Sequence, residues 1–66
     1  MTITINGEHR EIPDGLNVAA LLEHLGMAQN RVAIERNRDI LPRAQWQETQ
    51  VSPNDAFEIV QFVGGG

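Results

Sequence analysis

The chain contains no cysteine and no lysine, and both absences limit the covalent chemistry of its side chains. Without cysteine it has no disulfide bonds, no thiolate metal ligands and no catalytic or carrier thiol. Without lysine, the α-amino group is the only primary amine, so copies of the chain cannot form isopeptide-linked polymers through side chains. Any covalent chemistry on the chain must therefore use another group.

Long apolar runs and basic patches are also missing. No stretch approaches the roughly 20 apolar residues that span a bilayer, and residues 1–12 alternate between polar and apolar types instead of forming a basic and apolar leader. We therefore expect a cytoplasmic protein. The net charge of −4 argues against nucleic acid as a partner and favours docking onto a basic protein surface.

Side-chain catalysis has little support in the sequence. A chain of 66 residues forms one domain at most and has no interior large enough for a cofactor. His9 and His24 are expected to be solvated, and no two carboxylates are spaced to act as a pair. We therefore expect a protein that is not an enzyme, binds no metal or cofactor, and functions through its surface or a terminus.

The first part of the chain predicts a β-hairpin. Met1, Ile3 and Ile5 alternate with threonines, which indicates a half-buried strand. Asn6-Gly7 then predicts a two-residue type I′ turn, because both positions of that turn need a positive φ. Residues 8–12 form the polar return strand, with its last side chain pointing inward.

A single amphipathic helix is predicted after the hairpin. Asn17 is suited to cap its N-terminus, and Gly26 is suited to end it in a left-handed conformation. Between them, apolar residues recur at the spacing i, i+3, i+4 and i+7 and form one stripe, which comprises Val18, Leu21, Leu22 and Leu25. So short a helix must be held by packing against a sheet.

The second half of the chain predicts further strands. Residues 32–35 alternate as a strand, residues 37–39 turn, and residues 40–41 form a short strand. Residues 42–46 form a helical turn with Pro42 at its first position and Trp46 closing the rim of the core. After a turn at 52–55, Ala56 to Val63 form the final strand.

This order of elements predicts an α+β fold of the β-grasp type found in ubiquitin. A mixed sheet of four to five strands would pack against one main helix, with a right-handed crossover and the last strand beside the first. The domain is expected to span residues 1–63, and residues 64–66 are expected to form a flexible C-terminal glycine tail.

The two faces of the final strand differ in their expected roles. Phe57, Ile59 and Gln61 should face the helix, so Val60 and Phe62 should point to the opposite face. Exposed there, Val60 and Phe62 would form an apolar patch that docks a partner. Alternatively, the helical turn at 42–46 or self-association would cover them.

Gly64-Gly65-Gly66 follows the final strand and is unusual for a structural element, because glycine loses the most entropy when it is ordered. Residues without a Cβ suit threading through a narrow channel into a partner's active site. No helix follows to bind phosphate, so the run is not a nucleotide loop. The carboxyl group of Gly66 is then the remaining reactive group; a frayed end or a linker remnant is the alternative.

Two segments carry a resemblance to a known family. They are Asn37-x-x-Ile40-Leu41-Pro42-Arg43-x-x-Trp46 and the end from Glu58 to Gly66, and the spacing of Leu21-Leu22-x-x-Leu25 agrees with them. Over essentially its whole length the chain resembles the ThiS family of ubiquitin-like sulfur carriers in thiamine biosynthesis. Arg36 departs from the pattern, since an apolar residue is expected at an inward position of the strand.

The resemblance implies a specific sequence of partners. A ThiF-type enzyme would use ATP to adenylate the Gly66 carboxylate, and a cysteine desulfurase or rhodanese-type donor would convert it to a thiocarboxylate. The thiazole synthase ThiG would accept that sulfur, and the chain would be a co-substrate. The related sulfur carrier of molybdopterin synthase, a ubiquitin-like protein modifier and a plain interaction module remain as alternatives.

Overall fold

The computed structural model describes residues 1–62, so the predictions for Val63 and for the glycine tail at 64–66 lie outside the described residues. One α-helix and five strands follow each other along the chain as β1 (Thr2–Ile5), β2 (Glu8–Glu11), α1 (Val18–His24), β3 (Val32–Arg36), β4 (Asp39–Ile40) and β5 (Ala56–Gln61). Short 3₁₀ turns occupy Gln29–Arg31 and Arg43–Gln45.

The strands form one mixed sheet in the order β2-β1-β5-β3-β4. β1 and β5 run parallel, with Thr4 opposite Ala56 and Ile5 opposite Phe57, while the other neighbours are antiparallel. The last strand thus lies beside the first, as the sequence predicts. The five-stranded mixed sheet with its single helix confirms the β-grasp fold.

The hairpin and the helix agree with their local sequence signals. Asn6 and Gly7 have φ values of 51° and 82°, as a type I′ turn requires. The side-chain oxygen of Asn17 accepts a hydrogen bond of 2.7 Å from the backbone N–H of Ala20, and this bond caps α1. Gly26 follows the helix with a φ of 74°.

The core lies between α1 and the face of the sheet that the helix covers. Its fully buried large side chains are Ile3, Val18, Leu21, Leu22, Trp46 and Phe57. Trp46 is only 2% exposed, so its predicted place in the core is confirmed, but it lies inside the core and not at its rim. Its indole N–H donates to the Leu41 carbonyl oxygen at 2.9 Å, which lets the polar end of the ring be buried.

Several boundaries differ from the sequence prediction, and β2 and β3 each differ by one residue at their C-terminal ends. The short strand is Asp39–Ile40 rather than residues 40–41, and β5 ends at Gln61. Pro42 precedes the 3₁₀ turn in an extended conformation (φ −60°, ψ 142°) instead of starting it, because the turn begins at Arg43. Gln61 is exposed although it was predicted to face the helix, since it lies beyond Ile59, the last buried residue of β5.

Candidate docking surface

Val60 and Phe62 lie at the end of the described chain and leave much of their side chains in solvent. Their exposed fractions are 60% and 56%. Phe57 and Ile59 are buried against the helix, so the alternation of side chains places Val60 on the opposite side of the sheet, which we call the outer face. The predicted exposure of both residues is confirmed; their role in docking stays a prediction.

The outer face continues onto the neighbouring strands. Ala33 lies opposite Val60 and Glu35 lies opposite Glu58 in the β3–β5 pair, so all four side chains share this face. Ile40 lies opposite Glu35 in the β3–β4 pair and is 79% exposed. The outer face therefore combines apolar side chains with two carboxylates.

An open groove of about 370 Å³ runs beside Val60. Its lining residues come from β3, from Glu58 and Val60 of β5, and from the segment Ile40 to Arg43 with Trp46. We call the segment from Ile40 to Arg43 the wall of the groove. Most of the lining is apolar. The groove extends the exposed surface around Val60 toward β4, the edge strand of the sheet.

The end of β5 is held by a side chain that extends the sheet. The Asn6 amide donates to the Ile59 carbonyl oxygen at 3.2 Å and accepts from the Ile59 N–H at 2.8 Å. These bonds continue the contact with β5 beyond the backbone bond of 2.8 Å that the Asn6 N–H donates to the Phe57 carbonyl oxygen. Asn6 thus positions the residue immediately before Val60, a role that the turn signal at Asn6-Gly7 did not indicate.

The start of β5 is held by a buried carboxylate. Asp55 is 5% exposed and accepts from the Ser52 N–H at 2.8 Å, from Arg36 Nε at 3.0 Å and from Asn37 Nδ2 at 3.3 Å. This network explains why a charged residue, Arg36, stands at an inward position at the end of β3. The alternation of β3 marks Arg36 as a departure, but no local signal in the sequence indicates Asp55 as its partner.

Other candidate groups are not brought together by the fold. His9 and His24 are exposed on separate elements, as predicted. Within residues 1–62, no group of three or more histidines and carboxylates is arranged to hold a metal ion. No helix in that part of the chain is long and apolar enough to cross a membrane. The predicted reactive residue, Gly66, and its neighbours Gly64 and Gly65 lie outside the described residues.

The mixed sheet, the single helix and the exposed apolar end of β5 define a small protein of the β-grasp class. Comparison with known proteins identifies its family. The sequence model of the ThiS family matches residues 3–66, so the chain belongs to the ThiS family.

Individual relatives agree with this membership. The chain is 33% identical to the sulfur carrier protein ThiS of Escherichia coli, with all of both chains covered. It is similar to the crystal structure of a thiamine biosynthesis protein (ThiS) from Geobacter metallireducens, with a TM-score of 0.84, 38% identity and full coverage of both chains.

A second kind of relative is much longer. The chain is 42% identical to a thiazole synthase of Paramagnetospirillum magneticum, and the match covers all 66 residues of the chain. It spans only 20% of that protein's length. A segment similar to this chain thus also occurs within a larger polypeptide.

Proposed function

We propose that the chain is a sulfur carrier of thiamine biosynthesis, and that it carries sulfur on the carboxyl group of Gly66 as a thiocarboxylate. The observation that supports this most is membership of the ThiS family over residues 3–66, a match that includes the glycine end. The absence of cysteine supports it further, because no side-chain thiol is available to carry the sulfur.

The proposed chemistry takes place in the active sites of partners. The Gly66 carboxylate attacks the α-phosphate of ATP in a ThiF-type enzyme, which forms an acyl-adenylate and releases pyrophosphate. The outer sulfur of a persulfide on a cysteine desulfurase or rhodanese-type donor then attacks the acyl carbon and displaces AMP, which joins the chain to the donor through an acyl disulfide. A thiol cleaves the S–S bond of that acyl disulfide, which leaves the thiocarboxylate on Gly66 and a disulfide on the donor side. In this scheme the chain is a co-substrate that binds no cofactor of its own, and it functions in the cytoplasm, where ATP is available.

The acceptor in this proposal is a ThiG-type thiazole synthase. Similarity to the longer thiazole synthase supports this choice, because a carrier and its acceptor that share one polypeptide meet at a high effective concentration. Gly64 and Gly65 would let the carboxyl end enter a narrow active site, since neither residue has a Cβ.

Reconstitution tests the proposal directly. The chain is incubated with a ThiF-type enzyme, ATP and a sulfur donor, and its intact mass is measured. We expect the mass to rise by the difference between one sulfur and one oxygen atom. A variant that lacks Gly66 and a reaction without ATP are the controls, and both should stay unchanged. An unmodified wild-type chain under conditions that load a known carrier would contradict the proposal.

We also propose that Val60 and Phe62 dock the adenylating partner while the tail enters its active site. Their exposure at the end of β5 supports this role. Val60→Ser and Phe62→Ser should each weaken binding roughly tenfold, which is typical of an interface anchor, without loss of fold. Thr4→Ser, a small change elsewhere in the sheet, is the control. Unchanged affinity in both serine variants would remove these residues from the interface.

Genetic complementation distinguishes the proposal from the molybdopterin alternative. Expression of the chain should restore growth of a carrier-deficient strain without added thiamine. It should leave a molybdoenzyme defect uncorrected. The opposite pattern would assign the chain to molybdopterin synthesis.

A further inference from the structure

The groove beside Val60 has a rigid wall. The Leu41 N–H donates to the Ile34 carbonyl oxygen at 2.9 Å, and the Leu41 carbonyl accepts from the buried Trp46 indole at 2.9 Å. Pro42 follows with its carbonyl bonded to the Gln45 N–H at 2.9 Å. Because these bonds already fix the wall, binding of an occupant would cause little further loss of conformational entropy there.

The groove leaves apolar surface in water. Ile40 and Val60 both line the groove, and they are 79% and 60% exposed. Ala33 and Pro42 also line the groove and add to its apolar surface. An aliphatic side chain of a partner would bury all four of these surfaces at once.

The same groove carries net negative charge, because two glutamates line it and Arg43 is the one cation among its lining residues. Glu35 and Glu58 both line it and lie directly opposite each other across β3 and β5, an arrangement that disfavours the sheet when both are charged. The ion pairs found within residues 1–62 join Arg36 to Asp55 and the N-terminus to Asp14, and neither involves these two glutamates. A cation from outside the chain would relieve their repulsion.

We propose that the groove binds an aliphatic side chain of a partner protein, flanked by an arginine or lysine that pairs with both Glu35 and Glu58. The partner is the ATP-dependent adenylating enzyme, and to this extent the inference rests on the proposed function. The groove shares Val60 with the surface that leads to the glycine end, so an enzyme that holds the tail meets the groove as well. A second copy fits poorly, because it adds another net charge of −4.

Variants that remove glutamate charges test whether a cation of the partner pairs with Glu35 and Glu58. The double variant Glu35→Gln/Glu58→Gln keeps the size of both side chains, and Glu23→Gln/Glu48→Gln removes the same charge at exposed sites elsewhere. Affinity for a purified ThiF-type enzyme is measured by isothermal titration calorimetry at low and high salt. The groove variant should bind roughly tenfold more weakly and lose most of the salt dependence, while the control should bind like the wild type.

A second pair of variants tests the aliphatic contact. Ile40→Ser should weaken binding roughly tenfold, and Ile40→Val should restore it, since valine retains most of the apolar surface. Both variants should keep the wild-type melting temperature, because Ile40 is mostly exposed. Chemical shifts of Ala33, Ile40 and Val60 should change on addition of the enzyme.

The outcomes separate this inference from the proposed function. If sulfur is loaded onto the wild type but the groove variants bind like their controls, the groove inference fails and the carrier function stands. If the groove variants bind weakly but no thiocarboxylate forms on the wild type, the groove inference stands and the carrier function fails. A wild type that does not bind the enzyme, or that forms a dimer abolished by Ile40→Ser, overturns the groove inference.

Discussion

At the scale of single residues, Asn6 contributes both its backbone and its side chain to the position of β5. A positive φ of 51° lets it form the hairpin turn, and its amide makes two hydrogen bonds to the backbone of Ile59. Asp55 fixes the other end of β5, because its carboxylate accepts hydrogen bonds from the Ser52 N–H and from Arg36 Nε. Both residues link segments that are far apart in the chain to the strand that precedes the candidate docking surface.

The two contributions of Asn6 can be separated by substitution. Asn6→Gly keeps the positive φ but loses the side-chain bonds, so the free energy of unfolding should fall by about 1–2 kcal/mol. Asn6→Ala also strains the turn and should lose about 1 kcal/mol more. Urea denaturation measures both values. A glycine variant as stable as the wild type would show that the bonds to Ile59 contribute nothing.

Substitution of Asp55 should destabilise the fold far more than substitution of an exposed acid. Asp55→Ala leaves Arg36 and the Ser52 N–H without their partner in a largely buried site. We therefore expect the free energy of unfolding to fall by about 2–4 kcal/mol. Asp14→Ala is the matched control, because the Asp14 side chain is 82% exposed and pairs only with the N-terminus. It should cost under about 1 kcal/mol. If urea denaturation shows the same loss of unfolding free energy for the two variants, the Asp55 network does not stabilise the fold.

At the scale of elements, the helix and the turns were predictable because their signals are local. The cap at Asn17, the glycine at 26 and the Asn6-Gly7 turn each act within a few residues. The boundaries at Pro42 and Gln61 were wrong, since they depend on where neighbouring strands end. The Arg36–Asp55 pair and the groove could not be found from the sequence, because they join residues about 20 positions apart or more.

Stability of α1 should depend on the cap at Asn17. Asn17→Ala removes the acceptor for the Ala20 N–H and should cost about 1 kcal/mol. Asn17→Asp retains that acceptor and loses only the exposed bond to the Gln47 carbonyl, so its stability should stay within about 0.5 kcal/mol of the wild type. Thermal and urea denaturation give both values. If the aspartate variant loses as much as the alanine variant, the cap is not the stabilising contact.

At the scale of the whole molecule, the two faces of the sheet differ in what they contact. The face against α1 buries the core, and the outer face presents Ile40 and Val60 to solvent. Phe62, just after β5, is exposed as well. The parallel pairing of β1 with β5 brings the last strand into the middle of the sheet, where both neighbours hold it. In the proposed function, the partners would supply the catalytic side chains.

If this chain carries sulfur at Gly66, the intact mass of the protein purified from its own cells will show it. Cells are grown without thiamine, and the protein is treated with a thiol-alkylating reagent before measurement. Because the chain has no cysteine, we predict a species with one oxygen replaced by sulfur that takes up one alkyl group at the C-terminal residue. A population that is entirely unmodified and unreactive would contradict the account.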